Sequence, residues 1–354
     1  MIAFRKRASV ALVVSAVIAA ACQRAEQPAP EGAPEERPGE GITVVAARPN
    51  WDTSFFDTEV VVKLLEDLGY TVTPPEDKEL PPEVFYPALA RGEVDFWTDG
   101  WFPLHDPFLD EEVPGVGKVA DAVEIVGYKV KAGALQGFLV DKASADRYGV
   151  TSLTQIAQDP DLVKLYDRDG DGKADLIGCN EGWGCAVHID EMIKQEGWED
   201  VFEHVQGEYS TLMVDTIARV ERGEPALYYT WTPNWTVGAL VPGQDVVWIE
   251  APSLPGESSE VPGVTGCVAD PCHMGFAPND LRIVANEEFL DRNPVVRKLF
   301  ELIEIPVEDI NAQNLKMNEG ENTQEDIERH AEEWIAAHRD LVDGWLEEAR
   351  AAAG

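Results

Sequence analysis

Ile42-Thr43-Val44-Val45-Ala46 is followed by Phe55, Val60, Val61, Leu64, Leu65 and Leu68 at helical spacing, and then by Gly69. The first run is continuously apolar, as an inner parallel strand buried on both faces reads. The second is the buried stripe of a helix, and the glycine stands where a helix C-terminus favours one. Together they make a βα unit. The pattern then repeats, with a short strand near residues 70–73, a helix over about 82–90 that ends at Arg91-Gly92, and a strand at Val94-Asp95-Phe96-Trp97. Strands alternating with amphipathic helices predict an α/β fold with a largely parallel sheet.

The alternation resumes farther on. Residues 136–140 read as a strand or an interdomain crossover, 143–148 and 153–157 as short helices, and 185–196 as a longer one. Strands are predicted at 226–230, 246–250 and 281–285, and helices at 287–290, 294–302 and 324–350. The last carries Ile327, Trp334, Ile335, Leu341 and Trp345 on one stripe. There is no internal repeat.

The chain opens differently. Arg5, Lys6 and Arg7 precede an apolar run over 8–21, and Ala19, Ala20 and Ala21 come just before Cys22. Positive charge, a short apolar stretch and small residues in that order make an export signal, too short for a comfortable membrane span. The cysteine at its end is similar to a bacterial lipobox, with Ala19 where leucine is usual, and predicts a lipid anchor on Cys22. Residues 23–41, rich in Pro, Glu and Gly, have the composition of a tether. The protein is therefore expected in the periplasm or on the outer face of a membrane. The other four cysteines form two local pairs, Cys179 with Cys185 and Cys267 with Cys272, and read as small disulfide loops of an exported protein. Neither spacing is a zinc knuckle.

Acidic residues outnumber basic ones 66 to 28, a formal charge of −38 over 354 residues. That field repels phosphate backbones and argues against a nucleic-acid partner. An acidic excess of this size also suits a surface kept hydrated in concentrated salt, where screening suppresses self-repulsion.

Several of the ten tryptophans fall in loops. Trp101 stands in Asp99-Gly100-Trp101-Phe102-Pro103-Leu104-His105-Asp106, directly after a predicted strand, and Trp183 stands in Gly178-Cys179-Asn180-Glu181-Gly182-Trp183-Gly184-Cys185, which opens a helix. Trp231 ends the strand Tyr228-Tyr229-Thr230-Trp231. In an open α/β sheet, loops at the carboxyl ends of strands face the ligand crevice. Three aromatic faces there make a cage for a quaternary ammonium, which offers no hydrogen-bonding head and is held by cation–π and dispersion contact. The amides of Gly184 and Cys185 lie at a helix N-terminus that favours an anion, and His105 can donate to the same carboxylate. Buried packing is the competing explanation for each tryptophan, and a structural role for the histidine.

These motifs, together with Tyr228-Tyr229-Thr230-Trp231-Thr232-Pro233 and Asp309-Ile310-Asn311-Ala312-Gln313-Asn314, resemble the glycine betaine and proline betaine-binding proteins of osmoprotective ABC transporters, over about residues 42–350. The resemblance implies a two-lobed periplasmic-binding-protein fold, with a tryptophan box at Trp101, Trp183 and Trp231. It implies carboxylate binding by His105 and the amides of Gly184 and Cys185, and a Cys179–Cys185 disulfide. The partner it implies is a membrane permease, with no catalysis and no required cofactor. The lipobox-like tether, the Cys267/Cys272 pair and the acidity depart from the pattern.

On this reading lobe 1 comprises 42–137 and 276–354, lobe 2 comprises 138–275, and the ligand sits in the hinged cleft. Choline, carnitine or proline betaine are alternative ligands. A secreted calcium-dependent hydrolase is the rival from another class, but the chain has no Gly-x-Ser-x-Gly elbow and no His-Glu-x-x-His motif. Asp167-Arg168-Asp169-Gly170-Asp171-Gly172-Lys173-Ala174-Asp175 has the alternating carboxylates of a calcium loop. The twelfth position is Gly178 in place of the bidentate Glu, so the expected ligands are Asp167, Asp169, Asp171 and Asp175, holding a structural ion; a capped acidic turn is the alternative.

Overall fold

A computed structural model of the protein describes residues 37–353; the predicted export signal, the predicted anchor Cys22 and residues 23–36 of the predicted tether lie outside the described residues. The opening run pairs as its composition predicts. Thr43–Val44 lies parallel to Thr71–Val72, and Ala46 bridges in parallel to Phe96. Between them the helix Phe55–Asp67 buries Phe56, Val60, Val61, Leu64 and Leu65 against the sheet. The helix Pro82–Ala90 follows, and then the strand Phe96–Phe102, buried along its whole length. Residues 37–41 already belong to the packed chain, where Gly39 donates to Leu68 O at 3.0 Å.

The organising element is a 19-residue strand, Val123–Asp141. Its first part lies antiparallel to Asn279–Asn286, with Val123 opposite Asn286 and Ala134 opposite Asn279. From Leu135 it pairs instead with Leu227–Thr232, and on its other edge with Val246–Ile249, again antiparallel. One strand thus runs through both lobes. In the second lobe Ala174–Ile177 lies parallel between Phe202–Val205 and Leu227–Thr232, flanked by the helices Gly184–Glu196 and Tyr209–Glu221. In the first, Phe96–Phe102 lies antiparallel to Asn279–Asn286, with Trp101 opposite Leu281. Each lobe therefore combines a parallel βα portion with strands that leave or re-enter and run the opposite way, because a chain crossing out of a lobe and back must reverse.

Several elements escape the sequence reading. Residues 123–135 are strand although Gly127 and Gly133 interrupt their apolar pattern, and the reading also lacks the strands Ala174–Ile177 and Phe202–Val205 and the helices Pro160–Tyr166, Tyr209–Glu221 and Val307–Asn318. The single predicted helix over 324–350 is two, Gln324–Ala337 and Arg339–Ala351. The chain turns at His338, whose Nδ1 donates to Trp334 O at 2.9 Å and whose ring stacks on Trp334 at 4.3 Å.

Candidate ligand-binding site

Trp101, His105, Trp183, Gly184, Cys185 and Trp231 all line one cavity between the lobes. Trp101 comes from the end of Phe96–Phe102 and His105 from the loop after it. Trp183 is the residue before the helix Gly184–Glu196, and Trp231 lies on Leu227–Thr232. The rings of Trp183 and Trp231 meet edge to face, centroids 5.8 Å apart at 79°. Each indole N–H has an acceptor away from the cavity: Trp101 reaches Asp99 Oδ2 at 3.0 Å, Trp183 reaches Asn50 Oδ1 at 2.8 Å, and Trp231 reaches Thr53 Oγ1 at 3.4 Å. The last two bonds join the lobes. With their N–H groups engaged elsewhere, these rings offer the cavity aromatic carbon and no free donor.

Among the described residues no carboxylate, lysine or arginine lines the space. His105 is neutral, because burial lowers it to about 3. The Trp101 amide donates to its Nδ1 at 3.2 Å, and Tyr86 OH lies 3.0 Å from the same nitrogen. An Nδ1 that accepts leaves the ring proton on Nε2. Next to it are the Gly184 and Cys185 amides, which meet no acceptor among the described residues. They open a helix whose dipole favours negative charge. Two glycines let the other lobe come close. A Cβ on Gly184 would stand 2.8 Å from Leu104 Cγ, and one on Gly182, at φ +82°, would stand 2.6 Å from Glu83 Oε1. The Cys179–Cys185 disulfide ties this loop together, Cα atoms 6.6 Å apart, and Cys267–Cys272 closes a second small loop, Cα atoms 6.1 Å apart.

The cavity has further walls that the sequence reading missed. Trp51 adds a fourth indole, edge-on to Trp183 at 5.2 Å and donating to Asp99 Oδ2 at 2.7 Å. It too stands beyond the carboxyl end of a strand, so the rule that picks out Trp101 also applies to it. Leu104, Tyr229 and Gln136 complete the lining. Gln136 faces Trp231 across the strand pair, its Oε1 accepts from Tyr229 OH at 2.6 Å, and its buried Nε2 has no partner among the described residues.

The Asp-rich loop does not line this cavity. Asp167, Asp169 and Asp175 bring carboxylate oxygens within 4.8 Å of one another, and Asp169, Asp171 and Glu203 do the same. Those carboxylates also cap their own turn: Asp167 accepts from the Gly170 and Gly172 amides at 2.7 and 3.0 Å, and Asp171 from the Lys173 amide at 2.8 Å.

The model of the substrate-binding domain of ABC-type glycine betaine transport systems matches residues 42–337. The glycine betaine-binding periplasmic protein OusX of Dickeya dadantii is 44% identical over 318 residues, covering 89% of this chain and 92% of that protein. The glycine betaine/proline betaine-binding periplasmic protein of Escherichia coli is 41% identical over 317 residues, with coverage of 89% and 92%. Among solved structures, lactococcal OpuAC in a closed conformation with glycine betaine superposes with a TM-score of 0.63 at 18% identity, over 86% of this chain and 99% of that one. An ABC-transporter choline-binding protein in complex with choline gives 0.62 at 17% identity, over 91% and 98%. These structures share the two-lobed fold, and the sequence matches decide the assignment: the chain belongs to the family of substrate-binding domains of ABC-type glycine betaine transport systems.

Proposed function

We propose that this protein captures glycine betaine, or a closely related quaternary-ammonium osmolyte, outside the cytoplasm and hands it to an ABC permease. The observation that carries this reading is the cavity's lining. Four indoles and, among the described residues, no charged side chain line it, together with His105, whose Nδ1 already accepts, and with Gly184 and Cys185, whose amides have no acceptor among the described residues. A methylated ammonium gains from π faces and loses little when desolvated, whereas a carboxylate needs donors. Contacts made to both lobes favour the closed form, so ligand binding drives hinge closure without any catalytic step. Calorimetric titration with glycine betaine and choline, repeated on Trp183→Ala, tests it. Saturable betaine binding that the variant abolishes is expected; a folded protein giving no heat with betaine would refute it.

Choline is the second candidate, favoured by the aromatic cage alone, and it makes no use of the carboxylate donors. Export and anchoring through Cys22 rest on the sequence of the first 22 residues. Among the described residues no helix is long and apolar enough to cross a membrane, and mass spectrometry of the N-terminal peptide from membrane fractions tests the anchor. The Asp167, Asp169, Asp171 and Asp175 loop is offered as a structural calcium site on its donor set alone. A melting temperature unmoved by calcium or chelator would leave it a capped turn.

A further inference from the structure

Behind the aromatic wall lies an ionic cluster whose own members do not line the cavity. Lys129 is 0% exposed, Asp57 1% and Asp99 3%. Lys129 Nζ donates to Asp99 Oδ1 at 2.5 Å and to Asp57 Oδ2. Asp99 Oδ2 accepts the indole N–H of both Trp51, at 2.7 Å, and Trp101, at 3.0 Å. Three elements supply the cluster: Asp57 from the first turn of Phe55–Asp67, Asp99 from Phe96–Phe102, and Lys129 from the strand that runs on to Gln136 in the cavity wall. Asp99 and Trp101, two apart on one strand, share a face.

Stability alone explains this arrangement poorly. A buried ion cluster seldom outdoes an apolar core of the same volume, because each charge must be stripped of water. The cluster is also unbalanced: two carboxylates face one ammonium, and Asp57 Oδ1 has no partner among the described residues. Burial pushes Asp99 up to about 6 against the two indole bonds, which favour its charged form, and burial pulls Lys129 down. The cluster thus sets one more carboxylate than ammonium beside two indole N–H groups, in a medium of low dielectric.

We infer that Asp99, tied to Lys129 and Asp57, is a positioning residue that fixes the Trp51 and Trp101 indoles and enriches their faces in negative potential for a cationic ligand. A charge-assisted N–H···O bond holds a ring more firmly than a neutral one. It also pushes electron density from the donor nitrogen into the ring, deepening the negative face that a quaternary ammonium meets. Selectivity for a charged head over an uncharged one of the same shape thus comes partly from residues the ligand never touches. This rests on the quaternary-ammonium reading of the cavity.

Two ligands and two variants test it. The affinities of glycine betaine and of 3,3-dimethylbutanoate, its isostere with carbon in place of nitrogen, are measured by tryptophan fluorescence up to millimolar concentrations. Both are measured in the wild type, in Asp99→Asn and in Asp57→Asn, with melting curves to confirm folding. Asp57→Asn removes the excess charge and leaves both indole bonds in place, so it decides the matter even where Asp99→Asn fails to fold. We expect betaine to bind about tenfold more weakly in both variants, with the isostere unchanged in Asp57→Asn. Unaltered betaine affinity in Asp57→Asn, or an equal loss for both ligands, overturns the inference. A folded wild type that binds no betaine sinks the proposed function and this inference together, a result distinct from a loss confined to the variants.

Discussion

His105 shows how one side chain acquires a fixed role. It is 2% exposed and packed among Trp51, Tyr86, Trp97 and Phe108, so a proton on both nitrogens is costly, and the Trp101 amide claims Nδ1. The ring is left as a neutral donor at Nε2. A typical histidine titrates near 6.5, whereas burial lowers this one to about 3. Its imidazole nitrogen shifts should therefore hold at the neutral Nε2–H values from pH 8 to pH 5; a midpoint near 6.5 would contradict the assignment. Losing a hydrogen bond to a carboxylate costs about 1.5–3 kcal/mol. His105→Ala should accordingly weaken glycine betaine by roughly 10- to 100-fold and leave choline nearly unaffected, as read by calorimetry.

At the scale of elements, the loop over 178–185 holds the cage and the anion end in register. It carries Trp183, supplies two amides and is closed by a disulfide. The crossing helix start has to come within contact distance of Leu104 in the opposite lobe, and only glycine at 184 permits it. Gly184→Ala should wedge the lobes and cost about 1–3 kcal/mol of closure, seen as weaker betaine binding with little change in the melting temperature of the free protein. Adding Leu104→Ala should restore much of the loss. Should the double variant bind no better than the single, the contact is not what limits closure. Replacing Cys179 and Cys185 together by alanine should cost roughly 2 kcal/mol of stability from loop entropy and weaken betaine as well. An unchanged affinity would show that the loop keeps its shape without the bond.

The whole molecule couples these parts. Its lobes share the strand Val123–Asp141 and meet through Trp183 with Asn50, Trp231 with Thr53, and the Asn234 amide with Asn311 Oδ1 at 3.0 Å. A ligand bound between them stabilises the folded protein by about 4 kcal/mol at a thousand times its dissociation constant, a rise of several degrees in melting temperature. The formal charge of −38 acts in the other direction, through repulsion across the surface. Raising sodium chloride from about 0.01 to about 0.1 M shortens the screening length from roughly 30 to 10 Å and should raise the melting temperature of the ligand-free protein. A flat response would mean that local pairing already neutralises the excess.

Features set by short-range pattern were legible in the sequence. The βα alternation from Ile42, Trp101 and Trp183 in glycine-marked loops after strands, Trp231 at a strand end, and the two nearby cysteine pairs each depend on a few consecutive residues and their period. Other features arise only when distant segments fold together. Gln136 reaches the cavity through the pairing of its strand with Leu227–Thr232. Lys129 meets Asp99 and Asp57 across separations of 30 and 72 residues, and residues 123–135 are strand because Asn279–Asn286 pairs with them. His338 divides a helix that its apolar stripe alone would continue. Periodicity fixes which face of an element is apolar, whereas the burial of a charge or the pairing of a broken strand depends on what the rest of the molecule packs against it.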